Sequence, residues 1–324
     1  MDILLIIVGM LMIVFTLLPL IRTNTWWVRI FDFPRLQIFV VSAFTLAALV
    51  LYKGDLVNEF ILPFVLSLCV VYQGYMIYPY TFLSPRQVPW SNTKRGNAFS
   101  LLTANVLMEN RDSVHLKALI DKNDPDIILV VETDLWWEEA LRDYEHDYPY
   151  VIHRPQDDTY GMHLYSRLEL INPEVRFLVQ DYVPSICGRI RLPSGTETDF
   201  YCLHPPPPFP TEAESSAERD TELFLIANEI KKRNRPVIVL GDLNDVAWSR
   251  TNKIFQKISG LSDPRVGRGF YNTFHAKLPF IRFPLDHFFV SHHFSLLDFR
   301  RLPHFGSDHF PVYIALSDGA GDRV

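Results

Sequence analysis

Val237-Ile238-Val239-Leu240-Gly241-Asp242-Leu243-Asn244 is an apolar run of strand length that stops at a glycine and two polar residues. A run rich in β-branched residues, without polar alternation, reads as a strand buried on both faces. The same construction recurs along the chain. Asn105 comes late in the run from Phe99 to Leu107, Glu132 directly follows Ile127 to Val131, and His204 directly follows Tyr201 to Leu203. At two later places the order inverts: Asp286 and His287 precede Phe288 to Val290, and Asp308 with His309 precede the run ending at Val312 to Leu316. If the last two strands run antiparallel to the first four, all of these positions collect at one edge of the fold. Carboxylates and imidazoles gathered at a sheet rim have the outline of a metal and acid/base site.

Each signal alone has a plain structural reading. A Glu after a strand is commonly a solvated strand end, Gly241 to Asn244 could be only a turn, Ser307-Asp308-His309 a cap, and His204 with Pro205 to Pro208 a stiff extended loop. Order and spacing separate the two readings. Helical patterns lie between the strands, at Ser113 to Lys122, ending before Asp124-Pro125, and at Glu212 to Lys232, with acids early and bases late. The alternation predicts an α/β domain over 96–317 with a short tail, 318–324.

The first 80 residues are of another kind. Ile3 to Ile21, Leu36 to Tyr52 and Ile61 to Tyr78 are three long apolar runs, each near the ~20 residues a helix needs to cross a bilayer. They explain a mean hydropathy of +0.06 in a chain of 324 residues. The expectation is a three-helix transmembrane anchor over 1–80 and a linker over 81–95, rich in Pro and Ser and without periodicity. A cleavable signal fits poorly, since Asp2 stands where a basic region belongs. Trp26, Trp27, Tyr75, Tyr78 and Tyr80 sit where interfacial aromatics would. Arg22, Arg29 and Arg35 fall on one side with Arg86, Lys94 and Arg95, against Lys53 on the other, which predicts a multi-pass protein of the cell (inner) membrane with its large domain in the cytoplasm.

The net charge is −6, and because residues 1–94 hold six basic and four acidic residues, the remainder carries −8. That balance points away from a duplex nucleic-acid binder, which draws affinity from a basic surplus. Three cysteines exclude a disulfide framework. A two-residue turn at Ser194-Gly195 would set Cys187 opposite Cys202.

Taken in order, Thr103-Ala104-Asn105-Val106, Val130-Val131-Glu132-Thr133, Tyr160-Gly161 leading to Ser166-Arg167, His204, Gly241-Asp242-Leu243-Asn244, Leu285-Asp286-His287 and Ser307-Asp308-His309 resemble the endonuclease/exonuclease/phosphatase superfamily. This is the family of DNase I, the exonuclease III type abasic-site endonucleases, neutral sphingomyelinases and inositol polyphosphate 5-phosphatases. The polyproline stretch after His204 and the preceding apolar spans resemble its membrane-anchored bacterial branch. The resemblance implies a four-layered α/β sandwich, two mixed β-sheets flanked by helices, and hydrolysis of a phosphodiester or phosphomonoester in nucleic acid or a phospholipid headgroup. It implies Mg²⁺, with Mn²⁺ as an alternative, held by Glu132 with Asn105 beside it and Asp308 near. Asp242 would orient or deprotonate water, Asn244 would hold water or phosphate, and His204 and the pair His309 and Asp286 would stabilise the transition state or move protons. Leu107 stands where some members carry an acid, so a second metal is not implied. The lipid bilayer and a phosphoester are the expected partners. The competing reading is a non-catalytic, membrane-tethered binding module that retains the fold.

Overall fold

The structure is a computed structural model that describes residues 2–51, 60–91, 97–207 and 215–318. Lys53, Lys94, Arg95, the start of the helix expected from Glu212, and most of the tail after 318 lie outside the described residues. The N-terminal part comprises α1 (Asp2–Leu17), α2 (Trp26–Arg29), α3 (Arg35–Leu51) and α4 (Leu62–Ile77). Ile3–Leu20 and Leu62–Tyr80 are long and apolar enough to cross a membrane. The middle run qualifies only if Trp26–Asp32 and Arg35–Leu51, bent by 68° at their junction, count as one span. Pro34 stands at that break, where it cannot donate to a continuing helix.

The end of α1, the start of α3 and the end of α4 all meet the second part of the chain. Ser216 N donates to Asn24 O, Trp248 Nε1 to Asp32 O at 2.7 Å, and Tyr80 Oη to Ala247 O at 2.6 Å. Arg29 and Arg35, two of the arginines that orient the chain in the sequence reading, are buried and paired with Asp32, and Arg29 also with Asp245. Their position therefore has a structural cause of its own. Residues 85–91 also pack closely: Val88 enters the main core, and Pro89 and Ser91 exchange backbone hydrogen bonds with Leu296.

The second part runs β1 (Ala98–Asn105), α5 (Ser113–Asn123), β2 (Ile127–Val131), α6 (Leu135–Leu141), β3 (Tyr150–Arg154), β4 (Met162–Ser166), β5 (Leu170–Arg176), β6 (Ser185–Arg191), β7 (Glu197–Cys202), α7 (Ala217–Lys231), β8 (Val237–Asp242), α8 (Arg250–Ser259), β9 (Asp286–Val290), β10 (Ser295–Arg301) and β11 (Val312–Ser317). One sheet has the order β10-β11-β1-β2-β4-β3, the other β5-β6-β7-β8-β9. Both are mixed. β1 and β2 are parallel, as are β7 and β8, while β11 is antiparallel to β1 and β9 to β8.

Side-chain alternation builds the four layers. Leu101, Leu129, Ile238, Leu240 and Phe288 point between the sheets, whereas Leu102 and Val130 pack beneath α5 and α6, and Val237, Val239 and Phe289 beneath α7 and α8. β2 and β8, buried along their whole length, are apolar on both faces, which is why they read as unbroken apolar runs. The helix expected at Ser113 is capped by Asp112, which accepts from His115 N, and it ends at Asp124 in the left-handed region (φ 44°) before Pro125. The expected strand to Leu107 stops at Asn105, because Leu107 is itself left-handed (φ 55°).

The cysteine register differs from the sequence reading. The β6–β7 turn holds three residues, Pro193-Ser194-Gly195, with Gly195 at φ 87°, and pairs Cys187 with Tyr201 and Ile186 with Cys202. One residue of shift turns a side chain to the opposite face. Cys202 accordingly lies between the sheets and Cys187 beneath α7, and both are free.

Two outcomes follow. Denatured without reductant, the chain should titrate three thiols, and oxidation should not join Cys187 to Cys202 within one chain. The second concerns Glu222 on α7, which is buried and accepts from Ser185 Oγ on β6. Burial pushes its carboxyl up to about 7 against that hydrogen bond. An acid raised in the folded state favours folding at low pH and loses that advantage as pH rises through the folded value. Glu222→Gln keeps the acceptor and removes the charge, so it should stabilise by at most about 3 kcal/mol at pH 8, and far less at pH 5. Thermal unfolding at the two pH values measures this.

Candidate active site

The expected convergence holds at the rim where β1, β2, β7 and β8 end and β9 begins. Asn105 is the last residue of β1, and Glu132 follows β2 in the left-handed region at φ 61°. Asn244, two residues past the end of β8, is left-handed too, at φ 51°. Such backbone is costly for side chains larger than glycine and concentrates at sites whose groups must be aimed. Two glycines make room for these turns. A Cβ on Gly161 would lie 1.7 Å from the Thr133 carbonyl, and one on Gly241 would lie 2.0 Å from the Leu203 carbonyl. The first holds the chain beside Glu132, and the second brings the ends of β7 and β8 together beneath His204 and Asp242.

The side chains form two linked groups. Asn105 Nδ2 donates to Glu132 Oε1 at 2.6 Å and to Asp242 Oδ2 at 3.1 Å, while its Oδ1 accepts from Leu107 N at 2.9 Å. The Leu107 N–H fixes which way the amide faces. In this orientation Asn105 presents a donor to the carboxylates and not an oxygen to a cation, which differs from the direct ligand role implied by resemblance. His309 Nδ1 lies 2.8 Å from Asp286 Oδ2, and its Nε2 lies 3.5 Å from Asp242 Oδ2. Asp242 therefore faces both groups, and its Oδ1 accepts from Asn244 N at 2.9 Å.

Charge and burial distinguish the two imidazoles. Burial by itself disfavours the His309 cation, but Asp286 and Asp242 outweigh it and push the ring up to about 10. His204 is equally buried with weaker support, and burial pulls it down to about 4. His309 is thus the cation of the site and His204 its neutral imidazole, 4.0 Å from Glu132. Burial pushes the Glu132 carboxyl up to about 8 against the Asn105 hydrogen bond and the His309 charge, and Asp242 and Asp308 add to the rise. Among the described residues, His204 Nδ1 and Asp286 Oδ1 are buried without a hydrogen-bond partner.

The donor set fits a hard divalent cation. Glu132 and Asp308 open onto one cavity with His309 and Asn244, and Glu132 has neither Lys nor Arg paired to it among the described residues. Ligand atoms of Asp242, Asp286 and His309 also lie within 4.8 Å of one another. There His309 supplies a positive charge, which also eases Glu132; the Glu132 carboxyl stays raised all the same, so the remaining demand for a cation falls on Glu132.

Thr273 and Arg219 carried no sequence signal, and Ser307 stood in the Ser307-Asp308-His309 motif without a role of its own. Thr273 Oγ1 accepts from Leu285 N and Asp286 N, and Ser307 Oγ donates to Asn105 O and accepts from His309 N, joining the two groups through the backbone. Arg219, in a helix, donates to Asn244 O at 2.8 Å. Isolated Thr and Arg residues have no spacing that marks them. His287, adjacent to Asp286, points away: its Nε2 donates to Asp245 O, and its Nδ1 meets the Arg265 guanidinium. Strand alternation sends neighbours to opposite faces.

Several solved structures share this architecture. The human nocturnin catalytic domain, solved with a bound sulfate, is 18% identical over 72% of this chain and 98% of its own, with a TM-score of 0.57. TDP2 from D. rerio, complexed with single-strand DNA product, is 17% identical over 68% and 99%, with a TM-score of 0.53. A mannosyl-6-phosphatase from Bacteroides thetaiotaomicron is 21% identical over 67% and 99%, with a TM-score of 0.51. At these identities the likeness is one of fold. A search of the curated proteins finds no match. Residues 102–309 match the Endonuclease/Exonuclease/phosphatase family, a stretch that begins within β1 and ends at His309 and so contains every residue of the site. The chain therefore belongs to the Endonuclease/Exonuclease/phosphatase family.

Proposed function

We propose that this chain is a membrane-anchored, Mg²⁺-dependent phosphoesterase. The observation that carries the reading is the join between two groups of opposite need: a half-buried carboxyl group at Glu132 with no Lys or Arg paired to it among the described residues, and a buried imidazolium at His309. A phosphoester brings negative charge that grows on its oxygens in the transition state. Glu132, with Asp308 beside it in the cavity, would hold the ion. When bound, Mg²⁺ polarises a phosphoryl oxygen as a Lewis acid.

The remaining work falls to the chain's own side chains. Asp286 fixes the His309 ring through Nδ1 and keeps it charged, so its Nε2 offers a positive N–H to the phosphoryl group from a water-poor wall. Asp242 has one oxygen tied to the Asn244 backbone and the other near Asn105 and His309, so its position is determined before substrate arrives. It orients the attacking water and takes its proton. Asn244, in the cavity wall and tethered through Nδ2 to Pro205 O, holds that water or a phosphate oxygen. Neutral His204 faces Glu132 and serves proton transfer at the opposite side. The N-terminal helices, two of them long and apolar enough to span a bilayer, support the anchor.

With bis(4-nitrophenyl) phosphate as probe, chelation should abolish turnover and Mg²⁺ restore it. Glu132→Gln should lower activity steeply, with partial recovery at raised Mg²⁺; unchanged activity would remove Glu132 from the site. Asp286→Ala and His309→Ala should each cost on the order of 10²- to 10⁴-fold in rate. Their combination should be scarcely worse than either, since groups acting as a unit are not additive. Multiplying losses would dissolve the pair. Asp242→Asn should abolish turnover with the fold intact by circular dichroism. A folded chain that turns over no phosphoester with Mg²⁺ present would favour the non-catalytic binding module.

A further inference from the structure

Glu132, Asp308 and His309 form one end of a cavity of about 770 Å³, a size that encloses a whole ligand. The rest of its wall comes from two places. Phe274, Ile281 and Phe283 belong to the loop before β9, whereas Ile30, Phe31 and Phe33 belong to the turn between α1 and α3. Phe33 packs edge-on against Phe283 at 5.6 Å, and Phe31 stacks on Phe15 of α1 at 4.6 Å. The helical segment and the catalytic domain thus close one cavity between them.

The lining discriminates among phosphoesters. No Lys or Arg lines the cavity among the described residues, whereas a groove for a nucleic-acid strand needs cations along the backbone. The wall beyond the carboxylates is aromatic and aliphatic, as a hydrocarbon chain requires and a sugar does not.

A second, independent feature concerns access. The loop before β9 exposes Phe280 (86%) and Ile281 (53%) at its tip. Gln37, in the first turn of α3, donates to Phe280 O at 3.0 Å, which holds the tip at the end of the apolar helices. Exposed aromatics at that level suit the headgroup region of a bilayer. A lipid chain entering from that level would meet the cavity along this apolar wall.

We propose that the substrate is a lipid phosphoester: its phosphate meets Glu132, Asp308 and His309, its hydrocarbon lies against Ile30, Phe31, Phe33 and Phe283, and the anchor is therefore a wall of the active site. The proposal rests on the phosphoesterase reading and assigns its substrate class. In the reaction water adds to phosphorus, the P–O bond to the leaving alcohol breaks, and the alcohol receives the proton, so water is the sole co-reactant.

The test uses the full chain in detergent with Mg²⁺ and a series of alkyl 4-nitrophenyl phosphodiesters, methyl against hexyl. Each buried methylene is worth up to about fourfold, so kcat/KM should rise at least tenfold from methyl to hexyl. Phe31→Ser and Ile281→Ser should each reduce the hexyl-to-methyl ratio at least fivefold. Ile281 is exposed, so its variant folds even if Phe31→Ser does not. Equal turnover of the two esters, or a single-stranded oligonucleotide cleaved with higher kcat/KM than the hexyl ester, would overturn the lipid assignment and leave the phosphoesterase standing. A hexyl preference untouched by both variants would overturn the role of the anchor. Failure to hydrolyse any of these substrates would instead withdraw the phosphoesterase reading.

Discussion

The amide of Asn105 lies between Glu132 and Asp242, and the site depends on where it points. Glu132 follows a strand of one sheet and Asp242 ends a strand of the other, so one side chain bridges the facing edges of the sandwich. The buried Asp242 and the half-buried Glu132 repel when both are charged, and the donor between them offsets that repulsion. Its orientation follows from the backbone, because Leu107 N occupies the amide oxygen. Turn, amide and carboxylates form one construction that starts where β1 leaves its sheet.

From that point a line of buried polar contacts runs into the helical segment. Arg219 holds the Asn244 carbonyl and lies 3.2 Å from Asp245, whose carboxylate also meets Arg29; Asp32 lies between Arg29 and Arg35, and Arg35 donates to Gln73, which donates to Thr16. Ion pairs so deep cost much desolvation, and removing one member strands the others without compensation. They are a poor way to gain stability and an effective way to fix geometry. The α/β domain and the first apolar helices are held in one arrangement, so residues of the turn before α3 can stand in the wall of the cavity that holds Glu132, Asp308 and His309.

How far the site could be read from the chain depended on the kind of signal. Glu132, His204 and Asp242 each interrupt an apolar run at its end, and Asp286 and His309 stand before one, so their convergence needed only the strand directions. Thr273 and Arg219 interrupt nothing and were found only through their contacts, and Ser307, legible as part of its motif, showed its bridging role only through its contacts. Among the strands, β1, β2, β7, β8, β9 and β11 were evident as apolar runs, while β3, β5 and β10, with polar residues on a solvated face, left no run to see, and β4, though buried, is broken by His163 and Ser166.

The sequence alone determined that apolar helices precede an α/β domain, and that polar residues cap its buried strands in the order of one family. Those properties follow from local composition, since burial on two faces demands unbroken apolar runs and any polar residue is driven to their ends. Tertiary structure decided the rest: which face Cys187 and Cys202 take, which way the Asn105 amide turns, that His309 and not His204 is favoured as the cation, and that Phe31 and Phe33 share a cavity with Glu132 and Asp308. The physical reason is common to all four. Register, amide orientation, ionisation and cavity shape are set by groups far apart in sequence that meet only once both sheets and the helices are packed.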